Sequence, residues 1–242
     1  RYAVRFCGAY HGWWGDVQPG TGNPLIARDT LTLHDMSESA LRVLRHRRDI
    51  ACVLVNPLQG LHPNRGAPAD SALIAARGSY SFDREAYAAW LQRLRQICDQ
   101  RGIALILDEV FLGFRLAPGG AQEYFGVKAD LVTYGKTVAG GLPIGLVAGR
   151  SRWMRRFNPD RPGDICFARG TFNSHPYVMG AMNEFLRALE TEPLRALYRD
   201  LDQKWNGRAE LLNQQLIKTG APVRVANLST VWALYFTQPS RY

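Results

Sequence analysis

The sequence predicts an α/β fold in which helices cover a mainly parallel sheet. Strand-like and helix-like segments alternate from residue 3 to residue 148, which is the order of βαβ units. A continuous apolar run from Ile50 to Val55 is typical of a strand that is buried on both faces. With 242 residues, of which 46% are hydrophobic and 21% charged, the chain is long enough to bury a substantial core.

The first half of the chain supplies strands and two helices. A strand near 3–7 precedes a loop rich in Gly, Trp and Pro, and Ser37 marks the start of a helix near 37–48, since serine is a favoured N-cap residue. After the apolar strand comes a long loop to which the sequence gives no shape. Asp83 then opens a helix that Gly102 ends. Its apolar face is formed by Tyr87, Trp90, Leu91, Leu94 and Ile97.

The C-terminal part changes in character. Residues 176–219 are predicted to be helical, in two or more pieces because Pro193 interrupts the pattern. A strand at 223–236 follows, bent or divided near its middle. We therefore expect a large domain over 1–205 and the incomplete beginning of a smaller α+β domain over 206–242.

The charge balance is basic, with 30 Lys and Arg against 21 Asp and Glu. Two basic clusters, at 42–48 and 152–156, lack the interleaved aromatic residues of a single-strand nucleic-acid binder. Solvated faces or docking to an acidic protein are therefore favoured over nucleic acid. Charged residues or Pro interrupt every apolar run before the ~18 residues that cross a bilayer, so we expect no membrane span.

The start of the chain and the spacing of its cysteines indicate what kind of protein it comes from. The chain has no initiator Met and starts in a strand-like run, so we expect a piece of a longer polypeptide. Four cysteines, at 7, 52, 98 and 166, are widely spaced and form no C-x-x-C motif. This pattern predicts reduced thiols in a cytoplasmic protein, with neither a disulfide framework nor a metal site.

Charged residues follow two of the predicted strands. The strand at 103–107 leads to Asp108 and Glu109, and the strand at 131–134 leads to Lys136. A third strand is predicted at 146–148. Ligands of open α/β sheets bind at the carboxyl ends of strands, so these residues are the candidates for chemistry.

A P-loop ATPase is excluded, although Gly-Lys-Thr stands at 135–137. The P-loop motif requires a glycine at position 130, which is Asp130 in this chain. Without that glycine the backbone lacks the turn that cradles phosphate.

A strand-end lysine beside a strand-end aspartate suits pyridoxal phosphate chemistry instead. The lysine amine forms a Schiff base with the cofactor aldehyde, and the carboxylate pairs with the pyridine nitrogen. Because this ion pair keeps the ring protonated, the ring can accept the electrons that remain when a Cα proton is removed.

The middle of the chain resembles the class III aminotransferases, and within them the glutamate-1-semialdehyde aminomutase branch. The matching motifs are Asp-Glu-Val-x-x-Gly-Phe-Arg at 108–115, Gly-Gly-Ala-Gln-Glu at 119–123, Ala129-Asp130, and Gly-Lys-x-x-x-Gly-Gly-x-Pro-x-Gly at 135–145. The resemblance implies the fold type I of pyridoxal-phosphate-dependent transferases. It also implies that the large domain lacks its N-terminal phosphate-binding loop.

The resemblance assigns roles residue by residue. Lys136 becomes the Schiff-base lysine and Asp108 the partner of the pyridine nitrogen. Tyr10, in the aromatic-His-Gly motif with His11, would stack on the cofactor ring. Thr171 would reach the cofactor phosphate of a neighbouring subunit, which implies a homodimer.

Four positions are candidates for substrate contacts. Asn56 stands where the family usually has Glu before Pro, and Phe111 stands where many relatives have Gln or Met beside the cofactor ring. His175 replaces a small polar residue or Asn after the Gly-Thr pair. Trp13 is a candidate for lining an acyl channel.

The amino-acid sequences immediately around these motifs resemble those of aminotransferase domains embedded in polyketide and nonribosomal peptide synthases. They imply amino transfer from an amino acid to a β-keto acyl thioester on an acyl or peptidyl carrier protein. The alternative is a glutamate-1-semialdehyde 2,1-aminomutase of tetrapyrrole synthesis. A noncatalytic scaffold is disfavoured because Lys136, Asp108, Tyr10 and Thr171 are all retained.

Overall fold

A six-stranded sheet forms the centre of the protein in a computed structural model. The structure describes residues 1–7, 9–12, 29–33, 36–58, 84–155, 157–165 and 170–236. The strands of the sheet are β1 (Tyr2–Phe6), β2 (Thr30–Leu33), β3 (Ile50–Val55), β4 (Ala104–Asp108), β5 (Leu131–Gly135) and β6 (Gly145–Gly149). Their order across the sheet is β2-β1-β3-β4-β5-β6.

Every neighbouring pair in this sheet is parallel except β5 with β6. This confirms the predicted, mainly parallel α/β architecture. The antiparallel edge has a simple cause: residues 136–144 are too few for a crossover connection, which needs a dozen or more. Strand β2 was not predicted from the sequence, since its four residues alternate threonine and leucine with no clear boundary.

Helices cover the sheet and continue beyond it. They are α1 (Glu38–His46), α2 (Arg84–Arg101), α3 (Gly120–Phe125), α4 (Ser151–Met154), α5 (Pro176–Leu189), α6 (Glu192–Arg199) and α7 (Leu201–Lys218), with a 3-10 turn at Lys136–Ala139. Two antiparallel hairpins complete the fold: β7 (Phe157–Asn158) with β8 (Arg161–Ile165), and β9 (Val223–Leu228) with β10 (Val231–Phe236). Within the described ranges, no helix is both long and apolar enough to cross a bilayer.

The core lies between the sheet and helices α1 and α2. The predicted N-cap is confirmed, because the Ser37 hydroxyl accepts a hydrogen bond from the Ala40 amide. All five residues of the predicted apolar face of α2 are buried. In addition, the Tyr87 hydroxyl donates to the Pro57 carbonyl at 2.6 Å, which ties α2 to the end of β3. Each large side chain buried in this way contributes about 1.5–3 kcal/mol.

The C-terminal segment is helical in separate pieces, as predicted. Helix α5 ends at Leu189, and Pro193 lies in the first turn of α6, where its missing N–H costs nothing. The strand at 223–236, predicted to be bent or divided near its middle, is divided: β9 and β10 form a hairpin that reverses at Ser229, whose φ is 50°. Position 206 lies inside α7, and the division into two domains stays a prediction.

Asp130 connects helix α2, strand β4 and the residue that follows β6. It is 4% exposed, and its Oδ2 accepts hydrogen bonds from the Leu105 amide at 2.9 Å and from Arg95 at 2.8 Å. Arg150, which follows β6, lies 3.5 Å from Oδ1. Burial favours the neutral acid, but these donors outweigh burial and hold the pKa of Asp130 below its ordinary value.

Replacing Asp130 by Asn should lower the free energy of unfolding by about 2–4 kcal/mol at pH 7, because Arg95 loses a buried anionic partner. Because the folded-state pKa is depressed, this stabilisation is present above the ordinary value of 3.8 and is lost as the pH falls below it. Urea denaturation at pH 7 and pH 3 measures both effects.

The matched control is Asp99→Asn. Asp99 also meets Arg95, at 2.8 Å, but its side chain is 56% exposed. Its loss should cost under about 1 kcal/mol. Equal losses for the two variants at pH 7 would contradict the structural role of Asp130.

Candidate active site

The carboxyl ends of β4 and β5 bring the two predicted catalytic groups to one edge of the sheet. Asp108 is the last residue of β4, which ends one residue later than the predicted strand at 103–107, and it is in register with Thr133 of β5. Lys136 directly follows β5. Because the two strands are parallel neighbours, both side chains belong to the same edge.

Three donors hold the Asp108 carboxylate. His11 Nδ1 lies 2.7 Å from Oδ2, and Oδ1 accepts from the Val110 amide at 3.1 Å and the Thr133 hydroxyl at 3.2 Å. Burial alone would raise the pKa of Asp108, but these hydrogen bonds outweigh it and hold the pKa below the ordinary value. The carboxylate is therefore anionic at neutral pH.

The donor set of Asp108 fits the pyridine nitrogen of pyridoxal phosphate. A carboxylate has about four acceptor sites, so three donors leave one for a further N–H group. Asp108 also keeps 8% of its surface exposed at the sheet edge. The residues present thus provide a fixed anion with a remaining acceptor site, which this cofactor requires.

Lys136 begins the 3-10 turn in a left-handed conformation, with φ 48°. That conformation costs a residue other than glycine on the order of 1–2 kcal/mol, so contacts around the turn must maintain it. The lysine is exposed, and its Nζ lies 5.7 Å from the centre of the Phe111 ring. Phe111, itself 47% exposed, is thus placed next to the reactive amine.

The aromatic-His-Gly motif is anchored to the end of β3. The Asn56 side chain accepts a hydrogen bond from the Tyr10 amide at 2.8 Å, and the next residue, His11, reaches Asp108. The Tyr10 ring is 65% exposed. Asn56 therefore has a positioning contact that the sequence did not reveal, while a substrate contact for Asn56 stays a prediction.

The remaining candidates are less closely connected to this edge. Thr171 lies on an exposed turn before α5, the helix that packs against the 3-10 turn of Lys136. His175 precedes α5, and the rings of Phe172 and Tyr177 lie 6.2 and 5.5 Å from its ring. Their roles stay predictions. Trp13 lies outside the described residues.

Glu109 is a second buried carboxylate, next to Asp108 in the chain, whose role the sequence did not indicate. It is fully buried, and its two oxygens accept hydrogen bonds from the Ala121 amide at 2.7 Å and the Gln122 amide at 3.2 Å. The carboxylate occupies the space that a Cβ would need at Gly120, whose φ is 71°. The Gly-Gly pair at 119–120 was the only sequence signal for this close approach.

The two neighbouring carboxyl groups titrate in opposite directions. Burial raises the pKa of Glu109 to about 7, with a contribution from the adjacent Asp108 and against the effect of its two backbone donors. Asp108 has three donors and retains some exposure, so its pKa is lowered instead. Glu109 therefore binds a proton more tightly in the folded protein than in the unfolded chain.

Glu109→Gln should change how stability depends on pH. Because the folded-state pKa is raised, the folded wild type loses stability as the pH rises from 4.5 through 7. Relative to Glu109→Gln, which does not titrate, the wild-type free energy of unfolding should fall by about 2 kcal/mol between pH 5 and pH 8. Urea titrations at both pH values measure this difference.

Glu123→Gln is the control, since the exposed Glu123 carboxylate also accepts a backbone N–H at the start of α3, from Gly119 at 2.6 Å. Because its carboxylate is exposed, this substitution should lower the free energy of unfolding by less than about 1 kcal/mol. A wild type and a Glu109→Gln variant with parallel pH profiles would show that Glu109 does not titrate in this range.

Comparison with known proteins connects this site to a family. A family model described as aminotransferase class-III matches residues 83–231, more than half of the chain. The glutamate-1-semialdehyde 2,1-aminomutase of Methanococcus maripaludis strain C6 is 32% identical over 251 residues, covering 97% of this chain and 53% of that protein. The chain thus spans about half the length of the curated relatives it matches.

Solved structures agree with this assignment. A β-phenylalanine aminotransferase from Variovorax paradoxus superposes with a TM-score of 0.72 at 27% identity, over 98% of this chain and 50% of that one. A transaminase with pyridoxal phosphate bound gives 0.71 at 28% identity, over 96% and 53% of the two chains. These matches confirm the predicted fold type I, and pyridoxal 5′-phosphate is the cofactor of the group. The chain belongs to the class-III aminotransferase family.

Proposed function

We propose that the protein transfers amino groups with pyridoxal 5′-phosphate as its cofactor. The observation that carries the proposal is the anionic Asp108, held by His11 and two further donors at the edge of the sheet from which Lys136 projects. Family membership supports it, since the matched region, 83–231, contains both residues.

Each residue of the site has a definite task in this proposal. Bound pyridoxal phosphate supplies an electron sink for the carbanion of the substrate. Asp108 would accept the N–H of the pyridine ring, and His11 keeps the carboxylate oriented. Lys136 Nζ would attach the cofactor and move the Cα proton. Tyr10, which is 65% exposed, would stack on the face of the cofactor.

The substrate with more support is glutamate 1-semialdehyde. An aminomutase for this compound matches 97% of the chain, whereas none of the relatives described above is a domain of a polyketide or nonribosomal peptide synthase. The second candidate is therefore the carrier-bound β-keto thioester, which was expected from the amino-acid sequences around the motifs. Its basis is the basic charge balance, +9 overall, which suits an acidic carrier protein.

A homodimer is also part of the proposal. Thr171 lies in an exposed turn, so its hydroxyl is available to the cofactor phosphate of a partner subunit. In such a dimer each active site would need both subunits.

Lys136→Ala should abolish cofactor attachment and lower turnover at least ~1,000-fold, because Lys136 is the only lysine in the segment 136–144 between β5 and β6. Borohydride reduction of the full-length protein with pyridoxal phosphate, followed by peptide mass spectrometry, should find the pyridoxyl group on Lys136. Lys128→Ala, which removes an exposed lysine before β5, is the control and should leave labelling and turnover unchanged. Labelling of another residue in the wild type would refute the role of Lys136.

Asp108→Asn should retain covalently attached cofactor but lower kcat by about 10²–10⁴-fold, since an amide cannot keep the pyridine nitrogen protonated. Steady-state kinetics and the cofactor content of the purified protein measure the two effects separately. A variant with wild-type kcat would exclude Asp108 as the partner of the ring nitrogen.

The two candidate substrates can be separated directly. The full-length protein should convert glutamate 1-semialdehyde to its isomer with the amino group moved, without an external amino donor. Mass spectrometry of a β-ketoacyl carrier protein, incubated with the enzyme and amino acids, should show no change. Amination of the carrier-bound chain, without isomerisation of the semialdehyde, would reverse the order of the two candidates.

A further inference from the structure

The loop that follows Asp108 is hydrogen-bonded at five consecutive carbonyl groups. Arg115 serves the first two, with Nε 2.6 Å from the Phe111 oxygen and its amide 2.9 Å from the Leu112 oxygen. The other three bind side-chain hydroxyls from distant parts of the chain. These are Thr137 to the Gly113 oxygen at 3.1 Å, Tyr198 to the Phe114 oxygen at 2.6 Å, and Thr230 to the Arg115 oxygen at 2.9 Å.

Thr137 is the residue directly after the reactive lysine. Its hydroxyl donates to the loop, and its carbonyl accepts the Gly140 amide at 3.0 Å, which closes the 3-10 turn. Val138 and Ala139, the next two residues of the turn, are buried. Thr137 therefore holds the left-handed Lys136 between a buried turn on one side and the loop from Asp108 on the other.

The loop at 111–115 cannot shift together with the 3-10 turn of Lys136 if that turn moves. A Cβ at Gly113 would lie 2.8 Å from the Glu109 carbonyl oxygen and 2.9 Å from Tyr134 Cδ1, so the backbone there already touches β5. On the other side, Tyr198 of α6 and Thr230 of the β9–β10 turn hold the next two residues. The loop is thus a fixed reference to which the lysine turn is attached.

We propose that Thr137 is a positioning residue for Lys136, whose hydroxyl sets the separation between the lysine amine and the Asp108 carboxylate. The inference rests on the proposed function, because it concerns the amine that attaches the cofactor. Loss of the hydroxyl leaves the Gly113 carbonyl without this partner and frees the turn to move away from the loop. Tyr198 and Thr230 contribute indirectly, by holding the loop from its far side.

The experiment compares Thr137→Val, which keeps the shape and removes the hydroxyl, with Thr137→Ser, which keeps the hydroxyl. Thr219→Val is the matched control, since that hydroxyl also donates to a backbone carbonyl, of Gln215 at 3.1 Å, but at the end of α7. Four quantities are measured on the full-length protein. They are the rate of borohydride-trappable attachment of pyridoxal phosphate to Lys136, kcat and KM for the amino substrate, and hydrogen exchange of the cofactor-free protein.

In Thr137→Val the attachment rate and kcat should both fall about three- to tenfold, the factor expected for one lost hydrogen bond, with KM within twofold of the wild type. Amide exchange should accelerate in the peptide that covers 136–140, while the peptide that covers 110–115, which Tyr198 and Thr230 still hold, should exchange as in the wild type. Thr137→Ser and Thr219→Val should stay within twofold of the wild type in every measurement. Tyr198→Phe should lower the attachment rate less than Thr137→Val does, and it also tests the loop if Thr137→Val does not fold.

The experiment distinguishes failure of the proposed function from failure of the positioning role of Thr137. If the wild type attaches no cofactor at Lys136, the proposed function is wrong and this inference falls with it. If the wild type is labelled but Thr137→Val has the same attachment rate and kcat, only the positioning role is wrong. Equal impairment of Thr137→Ser and Thr137→Val would also overturn it, because the hydroxyl would then not be the group that matters.

Discussion

The parallel hydrogen bonding of β4 to β5 is the constraint from which the active site follows. It brings Asp108 into register with Thr133 and makes the segment after each strand leave the sheet at the same edge. The lysine turn and the loop from Asp108 then lie side by side, so a threonine hydroxyl can join them. Strand β6 runs antiparallel to β5, because the connection between them, which carries Lys136, is too short for a crossover.

Two adjacent carboxylates at this edge show how local hydrogen bonding determines charge. Asp108 has donors on both oxygens, two from side chains and one from the backbone, and stays anionic. Glu109 is fully buried under α3 with two backbone donors, and its pKa rises to about 7. The two neighbouring carboxyl groups therefore suit different purposes. Asp108 is suited to pair with a cationic ring, whereas Glu109 fixes the backbone at the start of α3. Because strand side chains alternate in direction, consecutive residues at the end of β4 can have these different environments.

Local patterns predicted most of the fold, since apolar periodicity and capping residues act within a few positions. Ser37, the apolar face of α2 and the strand at 50–55 are of this kind. A division of the strand at 223–236 was expected, but pairing of its two halves as a hairpin was not, because Ser229 takes the left-handed turn conformation without a Gly or Asn as a signal. A mainly parallel sheet was predicted as well, but the order of its strands was beyond the sequence, because that order depends on contacts between distant segments.

The same distinction applies to the site. Asp108 and Lys136 stand in recognisable motifs, so the sequence alone was enough to propose them as site residues. The contacts of His11 with Asp108, of Asn56 with Tyr10 and of Thr137 with Gly113 were not, since each joins residues between 24 and 97 positions apart. No spacing rule connects such positions before the order of the strands is known.

The link between His11 and Asp108 also bears on how the protein folds. It closes a loop of 97 residues across the sheet, and β1, which leads to His11, pairs with β3, while β3 pairs with β4. Closing such long loops costs chain entropy before the contacts compensate for it, so pairings of this kind are slow to form. A chain in which β4 and β5 were paired without β1 would present Asp108 without its histidine. A ligand that binds only the completed site stabilises the folded state over such forms.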